Sequence, residues 1–321
     1  MKIIPDLQKY KAGFSRPVIL AIGNFDGFHL GHQKLLKYVV TQARLHRGLA
    51  AVLTFPQHPH SILHPERKPL MLTSLEQKLC YLEEAGIDLC FLLSFTKTFA
   101  KMTPKDFVEK LLVKKLHIRE ICMGYDAHFG HGRVGDTGLM EQLAKTNGFL
   151  FRKMPPVMLG KRPVSSSRVR ELLMEGKLRD AARCLGRSFS MFGKVVHGKG
   201  HGYHLGFPTA NLEVHSEILL PLGVYVASGR FLSGKGCPAA SWLPGVMNFG
   251  KRPTYPKSET PRPVLELHLL DFKGKVYGKM MEIALHRFIR PETKFLTEDT
   301  LKASIRRDIQ TARRFYGKGR A

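Results

Sequence analysis

The chain has 321 residues, long enough to bury a sizeable core and more naturally two domains than one. Its 51 Lys and Arg outnumber 26 Asp and Glu, giving a formal charge of +25 that implies anionic partners: nucleic acid, a membrane surface or phosphorylated small molecules. The five cysteines, Cys80, Cys90, Cys122, Cys184 and Cys237, are odd in number and form no Cys-x-x-Cys pair, which argues against a zinc site or a disulfide framework and for a reducing cytosol.

In chain order, the first half alternates strand-like and helix-like segments, the pattern of a doubly wound α/β domain with a largely parallel sheet. Val18 to Ile22 is a continuous apolar run, suited to a strand buried on both faces. The helix after it repeats Leu35, Leu36, Val39, Val40 and Ala43 on one face. Ala50 to Phe55 reads as a second strand, Ser74 to Ala85 as a helix closed by Gly86, and Leu89 to Leu93 and Glu120 to Gly124 as further strands. Thr137 to Asn147 reads as a helix closed by Gly148, followed by a short strand at 149–151. After about Gly186 the texture changes to short strands separated by Gly and Pro, which suggests a small antiparallel barrel. Its expected strands are 191–197, 223–229, 239–243, 264–270 and 280–288, ending in a helix over 298–316 with Thr297 as N-cap and Leu301, Ile305, Ile309 and Ala312 on one face. No apolar stretch is long enough to span a bilayer, and Met1 to Asp6 lacks the core of a signal peptide. Lys and Arg are scattered without interleaved aromatics, which disfavours a dedicated nucleic-acid surface.

Between the first strand and its helix lies Gly23-Asn24-Phe25-Asp26-Gly27-Phe28-His29-Leu30-Gly31-His32-Gln33. Gly23, Gly27 and Gly31 let backbone approach an anion, and the new helix offers unpaired N–H groups and the positive end of its dipole. His29 and His32, three apart, share one side of the first turn and can stabilise phosphate oxygens as charge builds. The spacing fits neither the dinucleotide fingerprint nor the Walker A pattern.

His29-Leu30-Gly31-His32 resembles the signature of the HIGH-type nucleotidyltransferases. With Phe25, Asp26 and Gly27 ahead of it, the segment is similar to the adenylyltransferase half of the bacterial bifunctional riboflavin kinase/FAD synthetases. Ser165-Ser166-Ser167-Arg168 resembles that family's Ser-Ser-Thr-Arg segment, implying that it wraps the ATP phosphates beside the histidines. Thr54-Phe55-Pro56-Gln57-His58-Pro59 resembles Thr-Phe-x-Pro-His-Pro with Gln57 for Pro. Gly124 to Gly130 stands where the family has Asp-Phe-Arg-Phe-Gly; Asp126, Phe129 and Gly130 match and are implied to shape the flavin pocket, while Ala127 and His128 replace Phe and Arg. Asp26 is expected to orient the turn rather than act as a base.

In the second half, Gly206-Phe207-Pro208-Thr209-Ala210-Asn211 matches the riboflavin kinase signature without a departure. The Thr209 hydroxyl and Asn211 carbonyl are neutral oxygens able to share a Mg²⁺ whose other ligands are phosphates and water. The preceding Gly198-Lys199-Gly200-His201-Gly202 is suited to fold over the nucleotide. In Val264 to Leu270, Leu265, Leu267 and Leu269 alternate with Glu266 and His268. Pattern alone makes the latter a solvated face; the resemblance turns it toward a pocket and makes Glu266 the general base. Asn248, Gly250 and Arg252 match Asn-x-Gly-x-Arg-Pro-Thr, and Arg290 with Phe295 the region implied to finish the flavin end.

The resemblance implies a HIGH-type α/β domain over 1–186 that adenylylates FMN, and over 187–321 an α+β domain, with a Greek-key barrel and C-terminal helix, that phosphorylates riboflavin. ATP, riboflavin and FMN are the implied substrates and Mg²⁺ the implied cofactor, with a cytoplasmic monomer or weak homo-oligomer expected. Two alternatives remain open at this stage: a kinase whose transferase is weakened by Ala127 and His128, and a basic nucleic-acid-binding protein on a transferase scaffold.

Overall fold

The chain divides into two units, Met1–Ser166 and Ser167–Ala321. The computed structural model describes all residues except 8, 9, 11–13, 58–68, 97, 199, 215–219, 234–236, 238–240, 252–262 and 318–321.

The first unit is built on a six-stranded parallel sheet. Its strands are Lys2–Ile4 (β1), Val18–Ile22 (β2), Leu49–Thr54 (β3), Leu89–Leu92 (β4), Ile118–Gly124 (β5) and Leu150–Met154 (β6), in the order β1-β4-β3-β2-β5-β6. All five residues of β2 are buried. Ile19 and Ala21 point to one face, onto Leu36, Val39 and Val40 of the helix Leu30–Leu45 (α1). Val18, Leu20 and Ile22 point to the other, where a helical stretch over 104–116 (α3, wound as a π-helix across Phe107–Val113) brings Phe107, Val108, Leu111 and Leu112. Each fully buried Val, Leu or Ile contributes about 1.5–3 kcal/mol, so this strand is held from both sides. The helix Leu75–Glu84 (α2) begins at Ser74, whose hydroxyl accepts from Gln77 N. Thr137–Asn147 (α4) begins at Asp136 and ends at Gly148 with φ +71, as its sequence suggests. Strand order reverses at β2: β3 and β4 lie to one side, β5 and β6 to the other. That reversal opens a crevice beyond the carboxyl end of β2, the usual ligand position in such sheets.

A short hairpin of Met158–Leu159 (β7) and Arg162–Pro163 (β8) leads to Ser166–Met174 (α5), and Leu178–Leu185 (α6) follows. The expected division after residue 186 compares with a structural division after Ser166, with α5 and α6 filling the interval.

The second unit is a closed antiparallel barrel of six strands. They are Phe189–Val196 (β9), Ala210–Val214 (β10), Gly223–Phe231 (β11), Leu243–Lys251 (β12), Pro263–Leu269 (β13) and Met280–Pro291 (β14), closing in the order β10-β13-β12-β11-β14-β9. A single turn, His201–His204 (α7), precedes β10, and Glu298–Gly317 (α8) ends the chain. Of the strand expected over 239–243, residues 239 and 240 lie outside the described residues, and the described strand starts at Leu243 and runs to Lys251. Gly245, Gly250 and Asn248 interrupt the alternation there, so the apolar residues before them give the stronger pattern. β1, β10, α3 and α6 add elements that sequence reasoning does not assign. On α8 the fully buried stripe is Ser304, Asp308 and Ala312; Leu301, Ile305 and Ile309 are half-buried beside it.

Candidate active sites

In the first unit the turn after β2 is bent hard. Phe25 (φ 53), Gly27 (φ 76) and Phe28 (φ 47) all take the left-handed conformation, which non-glycine residues adopt at a cost unless held. Asp26 does the holding: it is 1% exposed, and its Oδ1 accepts from Leu72 N (3.0 Å), Thr73 N (3.1 Å) and Thr73 Oγ1 (3.2 Å). Gly27 N donates to Thr73 Oγ1 at 3.2 Å, and Ser166 Oγ donates to Asp26 O at 2.9 Å. The Asp26 carboxylate is thus occupied by the Leu72 and Thr73 main-chain donors and the Thr73 hydroxyl, which tie the turn to residues 72 and 73. A methyl group on Gly27 would meet Leu72 Cδ1 at 2.6 Å. Gly27→Ala is expected to destabilise the first unit by about 1–3 kcal/mol, from φ strain and crowding together; thermal unfolding of the full chain checks it.

His29 caps α1, its Nδ1 accepting from His32 N at 3.3 Å. In the neutral ring this leaves the proton on Nε2, a donor suited to phosphate oxygens. The rings of His29 and His32 stack at 3.6 Å and 18°, and Phe25, itself buried, sits at 5.2 Å from His32. A methyl group on Gly31 would meet His29 Nδ1 at 3.1 Å, so that glycine gives the ring its room. Gly23 N donates to Leu53 O, fixing the exit of β2 against β3. Imidazoles, helix N-terminus and switch-point crevice therefore coincide. Ser165 is half-buried, Ser167 exposed on the first turn of α5, and Arg168 half-buried in the second unit.

In the 124–130 loop, Asp126 is exposed, its carbonyl bonded to His128 Nδ1 at 2.9 Å. Phe129 is 8% exposed and packs on Phe107, so its ring belongs to the core under the loop. His58 lies outside the described residues, as do Lys199 and Arg252.

In the second unit, strand register gathers the predicted residues. Asn211 pairs with Glu266, Glu266 with Asn248, Asn248 with Val224, and Val224 with Arg290. Directly paired residues share a face, so these five form one row across the outside of the barrel. Leu265 and Leu267 point inward, 1% and 0% exposed, while Glu266 and His268 are half-buried on the outer face. That face floors a cavity of about 400 Å³, walled by Leu301, Ile305 and Ile309 of α8 and covered by Gly202, Leu205 and Phe207. Such a volume suits a small-molecule substrate.

The signature segment is held from both sides. His268 Nδ1 lies 2.8 Å from Pro208 O, and Phe207 N donates to Gly202 O at 2.8 Å. A methyl group on Gly202 would meet Thr209 Oγ1 at 2.9 Å, and one on Gly198 would meet Asn211 Nδ2 at 2.0 Å. Only glycines let this loop lie on those two side chains, and Gly206 takes φ +85 to complete the turn. Among the described residues no three His, Cys, Asp or Glu come together as a metal cluster. The cradle of Thr209 and Asn211 offers neutral oxygens, which fits Mg²⁺ held chiefly by phosphates and water.

Arg290 lines the cavity with its guanidinium committed to Asp308 of α8: NH2 to Oδ2 is 2.8 Å and Nε to Oδ2 3.1 Å. Its cation also lies 5.4 Å from the Phe295 ring. A methyl group on Gly250 would meet Glu292 Oε1 at 2.3 Å, so this glycine admits a second carboxylate to the wall. Sequence reasoning misses Thr73, Lys78 and Asp308. Lys78 leaves a signal: it sits in the Leu75, Leu79, Leu82 stripe of α2, where a surface lysine is out of place.

Fold and sites together define a two-domain, nucleotide-using transferase. Residues 12–168 match the FAD synthetase family and residues 185–316 the riboflavin kinase family. The chain is 36% identical over 317 residues to the bifunctional riboflavin kinase/FMN adenylyltransferase of Escherichia coli K12, covering 99% of this chain and 98% of the relative. The protein of that name from Haemophilus influenzae is 36% identical over 297 residues (92% and 94%). A crystal structure described as a macrolide-efflux protein from Streptococcus pneumoniae shares the fold, with a TM-score of 0.83 at 26% identity over 97% of this chain and 98% of that one. No helix among the described residues is long and apolar enough to cross a membrane. The chain belongs to the bifunctional riboflavin kinase/FMN adenylyltransferase family.

Proposed function

We propose that the second unit phosphorylates riboflavin at the cavity beside Glu266 and that the first adenylylates the resulting FMN at the histidine turn, each with ATP. The reading is supported most by the row Asn211, Glu266, Asn248, which sets a carboxylate between two neutral amides on the floor of a flavin-sized cavity. Glu266 takes the proton of the riboflavin 5′-hydroxyl as its oxygen attacks the γ-phosphorus, and ADP leaves. Thr209 and Asn211 would hold Mg²⁺ by their neutral oxygens, and the ion would supply charge neutralisation when bound. Asn248, Gly250 and Arg252 shape the flavin end; Arg290 fixes α8 as its wall through Asp308. Gly198, Lys199, Gly206 and Pro208 cover the nucleotide.

In the first unit an FMN phosphate oxygen attacks the α-phosphorus of ATP and pyrophosphate leaves. No protein nucleophile is required, so positioning and charge stabilisation do the work. His29 and His32 supply the charge; Gly23, Gly27, Gly31, Ser165 and Ser166 form the phosphate cradle; Asp126 and Phe129 order the flavin loop. The adenylyltransferase domain is assigned to 1–186 and the kinase to 187–321, a boundary supported by a kinase-family match that begins at residue 185. The protein works on small molecules in the cytoplasm.

Thr209→Ala tests the metal assignment. FMN formation is expected to need roughly tenfold more Mg²⁺ or above, since one of two protein oxygens is lost. Titrating Mg²⁺ in a riboflavin phosphorylation assay reads this directly, and an unchanged requirement removes Thr209 from the metal site.

A further inference from the structure

Lys78 is 1% exposed, one of the largest fully buried side chains of the protein. Its Nζ donates to Phe55 O (3.0 Å), where the chain leaves β3, and to Asn24 Oδ1 (3.5 Å) in the turn after β2. Burying an ammonium is unfavourable unless it is well partnered, and a leucine at this position would continue the apolar stripe of α2. Asp26 gives the ammonium a nearby countercharge, yet both of its hydrogen bonds go to neutral oxygens on the two strand-end loops. Its two acceptors lie on loops leaving the carboxyl ends of the neighbouring strands β2 and β3, and β2 is the strand at which the order reverses.

We propose that Lys78 is a positioning residue for adenylyl transfer: in its charged form it clamps Asn24 of the phosphate turn to Phe55 at the end of β3. The proposal rests on the reading of Gly23 to His32 as the ATP turn.

The clamp has a pH dependence whose sign is fixed. The titratable groups facing Nζ are Asp26 on the turn and Cys90 on β4. Burial pushes the Lys78 ammonium down to about 8, with Asp26 opposing, and burial pushes the Cys90 thiol up to about 12, so it stays neutral. Charge-assisted bonds to Phe55 O and Asn24 Oδ1 are present below about 8 and weaken as pH rises through it. Stability moves the other way. The unfolded lysine binds more protons than the folded one from about 8 up to its ordinary value, so folding gains as pH rises through that window. A loss of activity over the same range therefore reports positioning rather than unfolding.

The test measures FAD formation from FMN and ATP by the full chain from pH ~7 to ~9.5, in wild type, Lys78→Met, Lys78→Arg and His32→Ala. FMN formation from riboflavin, in the same samples, reports the second unit, and thermal unfolding the first. Lys78→Met is expected to lower kcat/KM for ATP at neutral pH by on the order of 10- to 100-fold, mostly through KM, and to show no alkaline limb. Wild type falls toward the Lys78→Met level above the limb. Lys78→Arg retains activity at neutral pH without the limb, because a guanidinium keeps its charge. Wild-type activity in Lys78→Met with loss in His32→Ala overturns the clamp but leaves the ATP-turn reading intact. Full activity in His32→Ala overturns that reading and the clamp with it. Should Lys78→Met not fold, an alkaline limb that persists unchanged in Lys78→Arg overturns the proposal.

Discussion

Glu266→Ala is expected to stop FMN formation while FMN is still converted to FAD. A positioned general base accounts for about 10²- to 10⁴-fold of a rate, which takes kinase turnover to the edge of detection. The carboxylate has no substitute in its row: Asn211 and Asn248 flank it and neither accepts a proton at neutral pH. Glu292 lines the same cavity just past the end of β14, beside Gly250 and outside that row. The substitution leaves the barrel intact, because residue 266 faces outward while Leu265 and Leu267 hold the inner layer. Glu266→Gln, which preserves shape and removes only basicity, is expected to give the same loss. Chromatographic separation of riboflavin from FMN over time measures it.

His32→Ala is expected to have the converse effect: FMN accumulates and FAD formation falls by about 10²- to 10³-fold, the usual loss for one donor that stabilises developing charge. The start of α1 survives the change. The cap bond to His29 Nδ1 comes from the His32 main-chain N–H, which alanine retains, and Asp26 still holds the turn through residues 72 and 73. What disappears is the imidazole stacked at 3.6 Å on His29. Pyrophosphate release with FMN and ATP reads this loss independently of the kinase.

Much of the first unit is legible in the sequence because its signals are local. Val18 to Ile22 is apolar without a break because both faces are covered, and the glycines and histidines that follow fall at the switch point for the same topological reason. Lys78 is harder to read: its neighbours Asn24 and Phe55 are distant in sequence, and only its place in an apolar helical stripe hints at burial. The π-wound stretch Phe107–Val113 breaks the 3.6-residue period on which helix recognition depends.

In the second unit the alternation of Val264 to Leu270 assigns the two faces of β13 correctly, but pattern cannot say whether the Glu266 face meets water or a ligand. That depends on α8, which docks across it and turns Leu301, Ile305 and Ile309 into a cavity wall. The Arg290 and Asp308 pair belongs to the same docking, so no spacing announces it; it makes Arg290 a support for the wall. β12 lies later in the chain than its apolar pattern suggests, because Gly245, Asn248 and Gly250 serve close packing and the cavity rather than the core. His128, folded onto Asp126 O where the family pattern carries an arginine, marks where the transferase of this chain departs from that pattern.

The decisive measurement gives riboflavin, ATP and Mg²⁺ to wild type, and riboflavin or FMN separately to Glu266→Ala and His32→Ala, and resolves the flavins over time. Wild type should make FMN and then FAD, Glu266→Ala should make FAD only when supplied with FMN, and His32→Ala should stop at FMN. Loss of both activities in either single variant would contradict the two-site account.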